Sequence, residues 1–196
     1  MDKKTNKKNL AKSSLGILVA SSLMAALSIV LGKYLAIPVG DVLRFSFENL
    51  PVMMAGMAFG PIVGALVGTV ADLIGCLLVG YAINPLVTVG AATVGFLSGL
   101  AYTLLSNVKI PHALRVTLSI LPAHLIGSVI IKTVGLSIFY SMPIWALMLW
   151  RLLNYLIIGV PEGIILWYLM KNKLILHRIN SIKDVGKERS DDKDEL

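Results

Sequence analysis

The chain contains a single cysteine, Cys76, which sits inside an apolar run. No disulfide can close within the chain. With one Cys, and with His112, His124 and His177 fitting no H-E-x-x-H spacing, there is no ligand quartet for a metal. Neither a metal nor any other cofactor is expected. A G-x-x-x-x-G-K-[ST] phosphate loop is also missing, so uphill movement of a solute would have to draw on another protein or an ion gradient. No serine lies in G-x-S-x-G, and His124 with Asp72 has no nucleophile at recognisable spacing, so the chain reads as a non-enzyme. Nothing supports nucleic-acid binding. Charge is absent altogether from Leu73 to Val108, a length that admits two spans of about 20 residues and a turn.

What is present is mostly apolar. Hydrophobic residues make up 56% of the 196, against about 45–50% in ordinary soluble domains. The reading is an all-α integral membrane protein, a compact bundle of six transmembrane helices with both termini cytoplasmic, in a bacterial cell membrane. Residues 1–12 form a basic N-terminal segment, 13–175 the membrane domain and 176–196 a charged tail. The lysine pairs before the first apolar run imitate a secretory signal, but the run from Leu15 to Leu31 exceeds a cleavable core and is expected to stay as the first span. The closing KDEL would be a retrieval address only in a luminal protein, and is read as coincidence.

Six helices follow from the breakers. The first runs from about Ser13 to Leu35, and an irregular segment with Pro38, Gly40 and Asp41 ends it. The second starts near Asn49 and stops at Gly60, short for a crossing. The third runs from Pro61 to about Val79, with Asp72 near its middle. The fourth covers roughly Leu86–Leu105, the fifth Leu114–Tyr140 with a kink at Pro122, and the sixth Trp145–Met170 with a bend at Pro161. Five spans are the alternative, if the second and third helices are one broken crossing. Gly56, Gly60, Gly64 and Gly68, and the pair Gly95 and Gly99, mark faces where backbones can approach closely. On the first helix Ser21 with Ala25 and Ser22 with Ala26 have the same four-residue spacing; they serve either packing in the bundle or an interface with another subunit.

Sorting the eighteen basic residues gives the orientation. Five precede the first helix, seven follow the last, and Lys109 and Arg115 flank the fourth turn. These fourteen fall on one side of a six-span bundle, the side the positive-inside rule assigns to the cytoplasm. Lys33, Arg44, Lys132 and Arg151 are left, and all four converge on the opposite, outer face. Snorkelling explains Lys33, and a bond to Asp41 or Glu48 explains Arg44. Lys132 and Arg151 lie deeper, where a cation points to a partly dehydrated pocket for an anionic solute. His124 and Lys132, two α-turns apart, are expected to address the same cavity.

The segments LRFSFENLPVMMAGMAFGPIVGALVGTVADLIG (43–75) and GYAINPLVTVGAATVGFLSGL (80–100), with the Arg151 region, resemble the S-components of energy-coupling factor (ECF) vitamin transporters, and within them the folate-specific type. The resemblance implies a six-helix membrane protein that captures folate from outside and docks on a transmembrane coupling protein and two cytoplasmic ATPases, with small residues of the first helix in the contact: here Ser21, Ser22, Ala25 and Ala26. A pterin wants carboxylates or amides, for which Asp72, Asn84 and Asn154 are available, and Asn49 is a further candidate for the substrate site. A glutamate tail wants Arg44, Lys132 or Arg151, with His124 nearby, and Tyr81 and Trp145 are candidate apolar walls. An S-component for another vitamin or precursor, and an ion-coupled transporter using Asp72 and Glu162, are the rivals.

Overall fold

The computed structural model describes residues 3–39, 43–173, 175–177 and 179, with side chains from Leu15 onward except those of residues 39, 43 and 44. The remainder of the charged tail, KDEL included, and Asp41 lie outside the described residues. Helix α1, Lys3–Ile29, begins ten residues before the expected start at Ser13. Lysine is a good helix former and nothing in residues 3–12 interrupts the helical path. It ends in a π-helical turn, Val30–Tyr34.

Where the sequence suggests irregular chain, a small antiparallel hairpin forms: β1, Ile37–Val39, pairs with β2, Leu43–Phe45, Pro38 standing opposite Arg44. Branched and aromatic side chains on both arms favour the extended form. Helix α2, Asn49–Phe59, is separated by Gly60 alone from α3, Pro61–Leu78, and α4 covers Pro85–Leu104. The next rod is composite: α5, His112–Pro122, a nine-residue π-helical stretch, Ala123–Ile131, and α6, Lys132–Tyr140. Proline 122 has no N–H to give to the ladder, and the winding changes directly after it. Helix α7, Ile144–Lys171, closes the bundle.

Five of these rods are long and apolar enough to cross a membrane. The short α2 is the sixth, about 16 Å at 1.5 Å per residue, half of a hydrocarbon core of about 30 Å. It is buried on nearly every side, Met53 and Ala55 completely. It is thus a central helix wrapped by longer ones, and because it folds back along α3 the two do not form one broken crossing.

Two features of glycine make this possible. Gly60 has φ +101°, a conformation side chains disfavour, and its N–H still reaches the Gly56 carbonyl at 2.9 Å. The chain therefore reverses with no loop, and α2 lies along α3. The other glycines interlock: a β-carbon at Gly99 would sit 2.6 Å from the Gly56 oxygen, one at Gly64 2.6 Å from the Gly56 Cα, and one at Gly95 would strike the Gly64 carbonyl. These obstacles are backbone and cannot swing aside. Gly95→Val should therefore abolish a folded, monodisperse protein in detergent. Gly159→Ala, whose new methyl would meet nothing nearer than a His124 carbon at 4.0 Å, should melt with the parent, as size-exclusion and thermal-shift measurements will show.

Candidate functional site

The hairpin end of the bundle holds a polar cavity of about 120 Å³, lined by Lys33, Ser46, Glu48, Asp72, Val87, Lys132, Leu136, Arg151, Asn154 and Tyr155. Six parts of the chain contribute. The π-turn after α1 supplies Lys33, the segment after β2 supplies Ser46 and Glu48, and α3 supplies Asp72. Val87 comes from α4, Lys132 and Leu136 from α6, and the rest from α7. Three cations and two carboxylates leave one excess positive charge in a site otherwise walled by membrane helices.

Lys132 is only 4% exposed and survives there because Glu48 Oε1 lies 2.9 Å from its Nζ and Asn49 Oδ1 lies 3.4 Å away. Asn49 Nδ2 in turn faces Ser128 Oγ at 3.4 Å and the Tyr155 hydroxyl at 3.5 Å. Glu48, in the loop just ahead of α2, feels opposing forces: burial favours its neutral form, but the charges of Lys132, Lys33 and Arg151 outweigh this and lower its pKa to about 2. Its folded-state pKa lies below the usual 4.5. Its contribution to stability is therefore complete above about pH 4.5 and fades only as the pH falls toward 2. At physiological pH the pair is ionised and closed.

Arg151 is differently placed. Its Nη1 donates to the Ser128 carbonyl at 2.9 Å, and its buried Nε has no acceptor among the described residues. Asp72 accepts from the Thr88 hydroxyl at 2.7 Å, and Lys33 Nζ stands 3.8 Å from Cys76 Sγ and 5.8 Å from the centre of the Tyr81 ring. The cavity thus offers one committed cation, Lys132, and an arginine with donors still to place, beside two carboxylates.

Of the residues expected from sequence, Asp72, Lys132, Arg151 and Asn154 line this cavity and Asn49 backs it. Tyr81 is exposed at its edge, and Trp145, 79% exposed, stands at the start of α7. Asn84 does not line it: its Oδ1 caps α4 by accepting from the Leu86 and Val87 amides and its Nδ2 donates to the Gly135 carbonyl, so both ends of the amide are occupied. The backbone of Arg44 is in β2, and its side chain is outside the described residues.

His124 departs from expectation. It faces Glu162 at 2.8 Å on the far side of Tyr155, whose ring centre is 4.7 Å from its own, and does not share a cavity with Lys132. The seven residues between them are all wound as π-helix, and each such turn takes about one residue more than an α-turn. The phase assumed from α-spacing therefore does not apply.

Glu48, Lys33, Ser46 and Tyr155 complete the site without having been selected from sequence. Glu48 was the legible one: a carboxylate directly before the apolar α2, named with Asp41 as a partner for Arg44, and among the described residues it pairs with Lys132, 84 residues away. On α1, Ala25 faces the core at 5% exposure, while Ser22 and Ala26 are on the outer surface and Ser21 is intermediate.

Comparison with known proteins gives one family. A family model described as "ECF-type riboflavin transporter, S component" matches residues 12–174. The folate transporter FolT of Clostridium novyi (strain NT) is 32% identical over 62 residues, 32% of this chain, so the match spans about a third (36%) of that relative. A crystal structure of FolT bound with folic acid superposes with a TM-score of 0.63 at 26% identity, covering 78% of this chain and 90% of that one. The S-component for biotin from an ECF-type ABC transporter superposes at 0.60 with 19% identity, over 88% and 95% of the two chains, and shows the shared fold. A multi-helix membrane bundle of this shape, matched along most of its length, belongs to the S components of ECF-type transporters and is a transport protein rather than an enzyme.

Proposed function

We propose that this S component binds folate from the outer side of a bacterial plasma membrane and delivers it together with an ATP-hydrolysing module. The observation that carries the reading is the convergence of Lys33, Lys132 and Arg151 with Glu48 and Asp72 on one cavity. Folate has two carboxylates at one end and an array of ring donors and acceptors at the other, and this cavity has complements for both. Riboflavin, the vitamin in the family model's description, carries no carboxylate and would give Arg151 and Lys33 no anionic partner. The likeness to FolT, in sequence and in fold, supports the same choice.

Roles follow from what each group has left to give. Arg151, whose Nε has no partner among the described residues, grips a carboxylate of the glutamate tail, and Lys33 at the cavity edge takes the second. Asp72 accepts from the pterin. Lys132 holds Glu48 and Asn49 in place. Asn154 and Tyr155 supply the wall between them. Sites for drug-sized ligands run to about 300–1,000 Å³, so the vitamin has to widen a cavity of 120 Å³ as it enters.

The orientation places this cavity outside, with the 1–12 segment, Lys109, Arg115 and the 176–196 tail on the cytoplasmic side. Ser22 and Ala26, small and exposed, form the face that meets the transmembrane coupling protein, with two ATPase subunits behind it. The ion-coupled alternative draws on Asp72 and Glu162 together, and these lie in separate places: Asp72 in the cavity, Glu162 fully buried against His124.

Titration calorimetry of the purified protein should show tight binding of folate and none of riboflavin; indifference to folate sinks the assignment. Hydrogen bonds to charged groups contribute about 1.5–3 kcal/mol, so Arg151→Ala should weaken folate about 10- to 100-fold while leaving the affinity for a pterin without the glutamate tail unchanged. Equal losses for both ligands would remove Arg151 from the tail. Lys132→Ala should lower the melting temperature as well, because it strands Glu48 in the bundle. Ala26→Trp should block assembly with the ATPase module at unchanged folate affinity, whereas Ala25→Trp should impair folding.

A further inference from the structure

A second, larger cavity lies elsewhere in the bundle. A groove of about 500 Å³ lies between the composite α5 rod and α7, on the side of Tyr155 away from the vitamin cavity. Its walls are apolar, including Leu121, Leu125, Val129, Leu152, Leu156 and Val160. Most of these are exposed on the surface of a chain whose exposed belt faces bilayer. From Ala113 to Val129 it follows the rod for roughly 20 Å, more than the hydrocarbon depth of one leaflet, about 15 Å.

The gap exists because α7 presents Gly159 and Gly163 toward α5 without closing on it. Their nearest neighbours across the gap, a His124 carbon and the tip of Ile120, would stand 4.0 and 3.8 Å from an added β-carbon. This is the reverse of the α3–α4 contact, where glycines bring backbones together. The lower end of the groove, at Ala113 and Trp167, is cationic. Lys171 Nζ stands 4.9 Å from the Trp167 ring centre and within electrostatic reach of His112. Lys109 and Lys173 are exposed in the neighbouring turns, and residues 103–122 and 163–173 contain no Asp or Glu.

We infer that this groove is a binding site for one anionic phospholipid of the leaflet adjoining the chain termini: an acyl chain lies between Gly163 and Leu121, and the phosphate rests at Lys171 with Lys109 and Lys173. The apolar walls exclude a carboxylate-bearing vitamin, and the basic end selects charge over a zwitterionic headgroup. The chain also seals the buried His124–Glu162 pair from water.

Native mass spectrometry of the intact protein, released from mixed micelles holding equal phosphatidylglycerol and phosphatidylcholine, tests this. One phosphatidylglycerol should be retained at least five-fold over phosphatidylcholine. Lys171→Gln, an exposed change that leaves the fold intact, should bring the ratio near one, and Gly163→Leu, which fills the groove, should release both lipids. Equal retention of the two lipids by the parent protein overturns the inference, as does undiminished retention by folded Gly163→Leu. If Gly163→Leu does not fold, an unchanged ratio in Lys171→Gln overturns it. Vitamin binding enters none of these readouts.

Discussion

A single buried charge organises the hairpin end of this bundle. Lys132 is almost fully removed from water, and an ammonium in that position is costly unless its partner is close and well aimed. Glu48 at 2.9 Å and Asn49 at 3.4 Å meet that need, and they are the two residues that start the central helix α2. The pair therefore ties α6 to the head of α2. Asn49 extends the tie through Ser128 to the π-helical stretch and through Tyr155 to α7. The elements that must converge to form the cavity are joined by one polar cluster, and Arg151 is positioned by its bond to the Ser128 carbonyl in the same cluster.

Glycine does two opposite things in this molecule. Between α2, α3 and α4 it removes side chains so that backbones touch, which compensates for the absence of a hydrophobic drive between helices in lipid. In α7 it removes side chains where no backbone follows, and a groove remains. Spacing does not distinguish the cases: Gly95 and Gly99, like Gly159 and Gly163, are four apart. What differs is whether the facing helix also carries small residues at that level. Gly64 and Gly56 face the first pair, while Ile120 and His124 face the second.

The match to a riboflavin-described family model and the likeness to FolT are compatible once fold and ligand are separated. The helical scaffold is what such a family shares, and even the S-component for biotin superposes well at 19% identity. Under the proposed function, ligand choice falls to the few polar side chains that the scaffold points into the cavity at its hairpin end. In this chain those side chains carry net positive charge.

The membrane class, the helix boundaries of α2, α3, α4 and α7 to within a residue or two, and the convergence of Lys132 and Arg151 were all readable in the chain itself. Apolar length, Gly-Pro breaks and the distribution of lysine and arginine are local or additive properties, and the bilayer translates them almost directly into topology. The partner of Glu48, the capping role of Asn84, the separation of His124 from Lys132 and the facing of Ala25 inward but Ala26 outward were decided only by tertiary structure. Each depends on the rotational phase of one helix against another. In the α5 rod that phase is reset by π-winding after Pro122, which no count of residues at α-helical spacing reveals.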